Sequence, residues 1–147
     1  MTEAALVACL AATLFMVGVT WFVQVVHYPL LAEVAPDSFS PIHDAHSRRT
    51  TLVVAVPMLV ELVSAVLLAF SPPDGLEILA LSGALLAVSV WVVTLVWAAP
   101  THSALGREGS DPALFLRLKR ASLVRTWLWT FHGVVILSIV ATVIDRA

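Results

Sequence analysis

The sequence predicts an all-α integral membrane protein, a single four-helix bundle over residues 1–147 built as a tandem repeat of a two-helix hairpin. Three observations predict it. The chain is 60% hydrophobic and 12% charged, against about 25% charged in a soluble domain, and its mean hydropathy is +0.97. Four apolar runs, Ala4–Val23, Leu52–Phe70, Leu79–Ala99 and Trp127–Ile144, are each close to the roughly 20 residues that cross a hydrocarbon core of about 30 Å. Landmarks also recur at a near-constant offset: Pro41 with Pro112, Arg48-Arg49 with Lys119-Arg120, Trp21 with Trp91.

The expected spans are 4–27, 50–70, 76–99 and 121–144, with repeat halves 1–71 and 72–147. Because each half carries two spans, both copies insert the same way and are related by a pseudo-twofold axis along the membrane normal.

The first run lacks a basic segment before it and is longer than the apolar core of about 7 to 15 residues in a signal peptide, so it reads as a spanning helix. It closes on Trp21 to His27, followed by Tyr28-Pro29. Trp21, His27 and Tyr28 suit an interfacial aromatic belt. Gln24, one turn inside, would leave its amide unmet against lipid and is expected to point into the bundle. Cys9 is the one cysteine, which excludes an internal disulfide.

A loop is expected over Leu30–Ser40, with the second helix starting at Pro41 behind a Ser40 cap, since proline at the first helical position loses no hydrogen bond. His43 and His46, three apart, share a face. That spacing can bind a metal, although its ordinary reading is a pair of solvated interfacial histidines. His43 and Glu61 are five turns apart and lie on one stripe with Thr50. Glu61 is about 15 Å beyond Thr51, near the bilayer midplane. An unpaired glutamate there costs roughly 2 to 3 kcal/mol or more, so it is expected to be protonated, paired or facing a cavity.

Ser71-Pro72-Pro73-Asp74-Gly75 is a tight turn into the third helix, where Gly83-Ala84 allows close helix contact. Trp91 to Trp97 echoes Trp21 to His27. A second loop over Thr101–Ser110 carries His102. The fourth helix starts at Pro112 behind Asp111, runs amphipathically through Arg120, and then presents Arg125, Trp129 and His132 on one face. Arg125 either snorkels to headgroups or lines the interior. His132 is too deep to snorkel, and the offset that carries Pro41 onto Pro112 carries Glu61 onto His132.

Arg48, Arg49, Arg107, Arg117, Lys119 and Arg120 fall on one side of the spans. By the positive-inside rule the regions 28–50 and 100–120 are cytoplasmic and both termini outside, in the plasma membrane. The partners implied are the lipid bilayer and a lipid-soluble small molecule, with no nucleic acid.

Gln24, His27, Glu61, Arg125 and His132 thus gather in the cytoplasm-facing half, with His43, His46 and His102 above them. Three chemistries can use such a set. Imidazole and carboxylate from facing helices suit a transition metal such as iron, zinc or copper, with His27, His43, His46, Glu61, His102 and His132 as donors. A haem needs axial histidine, for which His27 and His132 are the choices. A proton relay needs only a buried acid and histidine. The chain has no Glu-x-x-His on a spanning helix, no His-Glu-x-x-His and no histidine-rich desaturase box.

In size, span number and its Trp21-Phe22 … Tyr28-Pro29-Leu30 segment the chain resembles small four-span bacterial membrane proteins of the haem-binding protoporphyrinogen oxidase and anthrone oxygenase types. The resemblance implies a membrane oxidoreductase. An early histidine on the first helix, expected of the haem-binding family, is missing, and no active-site residue is carried over.

The expectation is therefore an oxidoreductase acting on a lipid-soluble substrate at a metal or haem centre. Glu61 and His132 would be ligands or proton carriers, and Gln24 and Arg125 would orient substrate or balance charge. The alternatives are a proton-coupled transporter or channel subunit that dimerises and uses Glu61, and a non-catalytic membrane assembly subunit.

Overall fold

The computed structural model of the chain describes residues 2–146, and four long helices make up nearly all of them. These are α1 (Thr2–Ala32), α2 (Pro36–Phe70), α3 (Glu77–Glu108) and α4 (Pro112–Asp145), each long and apolar enough to cross a membrane. They run up, down, up, down. Neighbours α1 and α2, α2 and α3, α3 and α4, and α4 and α1 pack side by side, which leaves α2 diagonal to α4 and α1 diagonal to α3.

The helices extend further than their prolines suggest. The first helix does not end at His27, nor the third at Ala99. Each passes its proline through one π-helical turn, Val23–His27 before Pro29 and Thr94–Ala98 before Pro100. Proline lacks an N–H and its ring collides with the carbonyl four residues back. Widening the preceding turn removes that conflict: Tyr28 N–H bonds Val23 O and Ala99 N–H bonds Thr94 O, each five residues back.

The expected loop Leu30–Ser40 shrinks to Glu33–Ala35, because α2 starts at Pro36 rather than Pro41. Ala35 is extended at φ −56°, ψ 141°, and Pro36 supplies the first helical residue. Ser40 is therefore not a cap, and Pro41 lies inside α2. The expected loop Thr101–Ser110 likewise shrinks to Gly109–Asp111, where Gly109 takes φ +80° to end α3. His102 is helical as a result. At α4 the cap stands as the sequence implies, with Leu114 N–H donating to Asp111 Oδ1 at 2.8 Å.

The interior is layered along the axis. Leu6, Leu68, Leu76 and Ile139 pack at one end, Met16, Met58, Val90 and Trp129 in the middle, and Tyr28, Leu31, Phe39, Leu105 and Leu118 at the other. The last layer, next to the basic residues, explains the helix extensions. Tyr28 is 3% exposed and packs edge-on against Phe115, which also meets Phe39 edge-on, so it is a core residue rather than part of an outer belt. The outward surface of the middle zone is apolar, with Leu52, Val56, Val63, Val96 and Val134 exposed.

Candidate functional site

Two polar centres occupy this bundle. The deeper one joins the diagonal helices. Glu61 on α2 and His132 on α4, each 1% exposed, meet with Nδ1–H of His132 donating to Glu61 Oε1 at 2.7 Å. Trp129, one turn earlier on α4, donates its indole N–H to Oε2 at 2.6 Å, and Thr13 on α1 donates to Oε1 at 3.3 Å. The second ring nitrogen of His132 faces the Cys9 thiol at 3.8 Å. From α3, Gly83 leaves room for the ring: a Cβ there would stand 3.3 Å from His132 Nε2.

This network is closed. Both carboxylate oxygens and both imidazole nitrogens have partners, and the adjoining void holds about 10 Å³, room for one water at most. A carboxylate buried in this way stabilises the bundle only while its donors stay in place, because a lone charge here would be uncompensated.

The second centre stands at the basic end and draws on three helices. His27 (α1) stacks on His46 (α2), ring centroids 3.9 Å apart and planes 20° from parallel. His43 (α2) stacks between Phe39 and His102 (α3), with centroids at 5.6 and 5.2 Å. Its Nε2 lies 3.1 Å from Nδ1 of His102. One of those nitrogens must donate and the other accept, so at least one of the two rings is neutral. Ser47 and Thr50 support the cluster from α2, Ser47 Oγ reaching His102 Nδ1 at 3.3 Å and Thr50 Oγ1 reaching His46 Nδ1 at 3.1 Å. His43 is 1% exposed. The expectation of solvated interfacial histidines fails for His43, which the eight-residue extension of α3 past Pro100 covers, while His46 stays half-buried.

Four polar atoms around this centre are buried without a partner among the described residues: His27 Nε2, His43 Nδ1, Gln24 Oε1 and Arg125 Nε. Asp44 Oδ1, 3.6 Å from His43 Nδ1, is too far to bond it. Gln24 lies between α1 and α4 and gives its amide N–H to Lys119 O at 3.5 Å. Arg125 lies over the face of Trp129, 5.0 Å from the ring centroid.

Grooves flank α2 on both sides of His46. One, of about 380 Å³, lies between α2 and α3 and is lined by His46, Thr50, Met58, Trp91, His102 and Arg125. The other, of about 430 Å³, lies between α1 and α2 and is lined by Phe22, His27, His46, Arg49, Thr50 and Val53. His46 and Thr50 are shared between them.

The expected donor set therefore separates into two. Glu61 and His132 pair with each other, about 10 Å deeper along α4 than Arg125 at 1.5 Å per residue, and their atoms are engaged. His27, His43, His46 and His102 gather together. Their unpartnered imidazole nitrogens suit a metal chemically, yet among the described residues no three His, Cys, Asp or Glu side chains stand where they could hold one ion. The rings form two contacting pairs instead of one cage. Residues that sequence reasoning passed over also matter here. These are Trp129, Thr13 and Phe39, since single residues of these types in apolar helices carry no motif and gain their partners only through packing. No protein-family model, curated protein or solved structure matches the chain.

Proposed function

We propose that the protein is a small integral membrane oxidoreductase that acts on a lipid-soluble substrate at the four-histidine centre. The observation that supports this most is the contact of His27, His43, His46 and His102, from three helices, between two grooves. A transition metal or a haem would supply the electron-transfer chemistry, with His27, His43, His46 and His102 as the candidate donors, of which a haem would take no more than two. Among the described residues the present pairs form no three-donor cage. His132 is the weaker axial choice for a haem, since its nitrogens are taken by Glu61 and Cys9.

The bundle is read as lying in the plasma membrane with its basic end cytoplasmic, the side where Lys and Arg are retained. Apolar side chains exposed over the middle of all four helices support insertion. A tandem repeat is supported by the two π turns, each just before a proline, and by the diagonal relation of α1 to α3 and α2 to α4. Contact between Glu61 and His132 supports it further, since two matched residues touch each other only beside a pseudo-twofold axis. A proton-coupled transporter using Glu61 would need a water path to a carboxylate that is 1% exposed and fully bonded.

Metal analysis and an absorption spectrum of the detergent-purified protein test the reading. Stoichiometric metal or a Soret band, lost in His43→Ala with His102→Ala, is the expected result. Substoichiometric metal and a featureless visible spectrum would sink the cofactor.

A further inference from the structure

Arg125 is the unusual cation of this chain. Among the described residues its guanidinium has no hydrogen bond and no carboxylate within salt-bridge distance, and its Nε is buried without a partner. What it does have is the Trp129 ring beneath it and the groove between α2 and α3 in front of it. Arg125 is half-buried, and a partly desolvated cation with no counter-ion from the described residues favours an anion beside it.

The groove is graded along its length. At the basic end stand Ser47, Thr50 and His102, and deeper in the bundle the walls become Val54, Ala55 and Met58. Trp91 closes this apolar part, its indole N–H directed to Met58 O at 3.4 Å so that the ring bridges α2 and α3. Arg125 is the one Lys or Arg in this lining. A single planar guanidinium matches a monoanionic carboxylate through two parallel hydrogen bonds. A volume of about 380 Å³ lies near the lower end for small-molecule sites and gives room for one narrow tail.

We infer that this groove binds a single-tailed amphiphile, its carboxylate paired with Arg125 and its apolar tail laid along Ala55, Met58 and Trp91. The inference deepens the oxidoreductase reading by naming its substrate class, a long-chain or isoprenoid acid held with its head beside His46 and His102.

Binding is measured on the full-length protein in phosphatidylcholine nanodiscs without added metal. Failure would therefore remove the substrate class and leave the metal analysis to judge the centre. The probe is a brominated long-chain fatty acid, read by quenching of tryptophan fluorescence, with Trp91→Phe showing how much of the signal is local. Saturable quenching is expected, with affinity roughly 10-fold or more weaker for the corresponding brominated alcohol and for Arg125→Gln, and intermediate for Arg125→Lys. Ala55→Trp fills the exposed apolar wall and should abolish binding while Arg125 stays intact, which keeps the test decisive if Arg125→Gln unfolds. Equal affinity for acid and alcohol, or binding unchanged in Ala55→Trp, would overturn the proposal. So would saturable quenching by a brominated anionic phospholipid in place of the fatty acid, which would make Arg125 a headgroup anchor.

Discussion

His132 Nδ1–H meets Glu61 Oε1 at 2.7 Å across the axis of the bundle, between the diagonal helices α2 and α4. The contact couples elements that do not lie side by side; Thr13 from α1 and Gly83 from α3 bring the other two helices to the same point, and Trp129 adds a second bond from α4. The carboxylate is thus the node where the four helices are brought into register. Its removal should cost more than any surface change.

Glu61→Ala leaves the N–H groups of Trp129 and His132 buried without an acceptor. Breaking one side of such a pair costs about 3 to 5 kcal/mol. Thermal unfolding in detergent should show a large fall for Glu61→Ala and a smaller one for Glu61→Gln, which keeps one acceptor oxygen. A wild-type transition in Glu61→Ala would refute the role of the node.

Gly83→Ala places a methyl group 3.3 Å from His132 Nε2. Glu61 holds the ring at its other nitrogen, so the ring cannot retreat without loosening that bond. Overpacking of this kind costs about 1 to 3 kcal/mol. Unfolding of Gly83→Ala at the wild-type temperature would mean that α3 shifts freely.

Trp129→Phe keeps an aromatic ring beneath Arg125 and deletes the 2.6 Å bond to Glu61 Oε2. A hydrogen bond to a charged group contributes about 1.5 to 3 kcal/mol. The variant should therefore lose stability by that amount. In a Glu61→Gln background the loss should shrink, and strict additivity in this double-mutant cycle would show that the two side chains are not coupled.

His46→Ala separates support from ligation. His46 is half-buried beside two grooves, so its loss should leave the unfolding temperature near wild type while metal content falls by more than half. Unchanged metal content would remove His46 from the centre.

Asp74→Cys and Glu108→Cys, each in a Cys9→Ala background, report which way the bundle lies. A membrane-impermeant maleimide should label residue 74 in intact cells and residue 108 only after lysis. The reverse pattern would invert the topology and place the histidine centre outside.

Much of this was legible in the sequence because it depends on local periodicity. Four apolar runs, the Asp111 cap, and the shared face of Arg125, Trp129 and His132 follow from 3.6 residues per turn and from composition. The matching of Glu61 with His132 follows from a constant offset. The ends of the helices were not legible. Pro29, Pro41 and Pro100 read as boundaries, and yet α1 and α3 pass their prolines through π turns while α2 encloses Pro41. Burial of Tyr28, Leu31, Phe39, Leu105 and Leu118 in one layer outweighs the local cost, and that layer exists only once the four helices are together.

The sequence by itself determined that four apolar helices form an antiparallel bundle and that an acid and a histidine lie deep within it. Only the tertiary structure decided their company. Helix rotation and depth brought Glu61 and His132 into one sealed network and separated them from His27, His43, His46 and His102 at the basic end. They also left Arg125 over Trp129, facing a groove with no anion from the described chain. Periodicity assigns a side chain to a face of its own helix; which other helix that face meets is set by packing among all four.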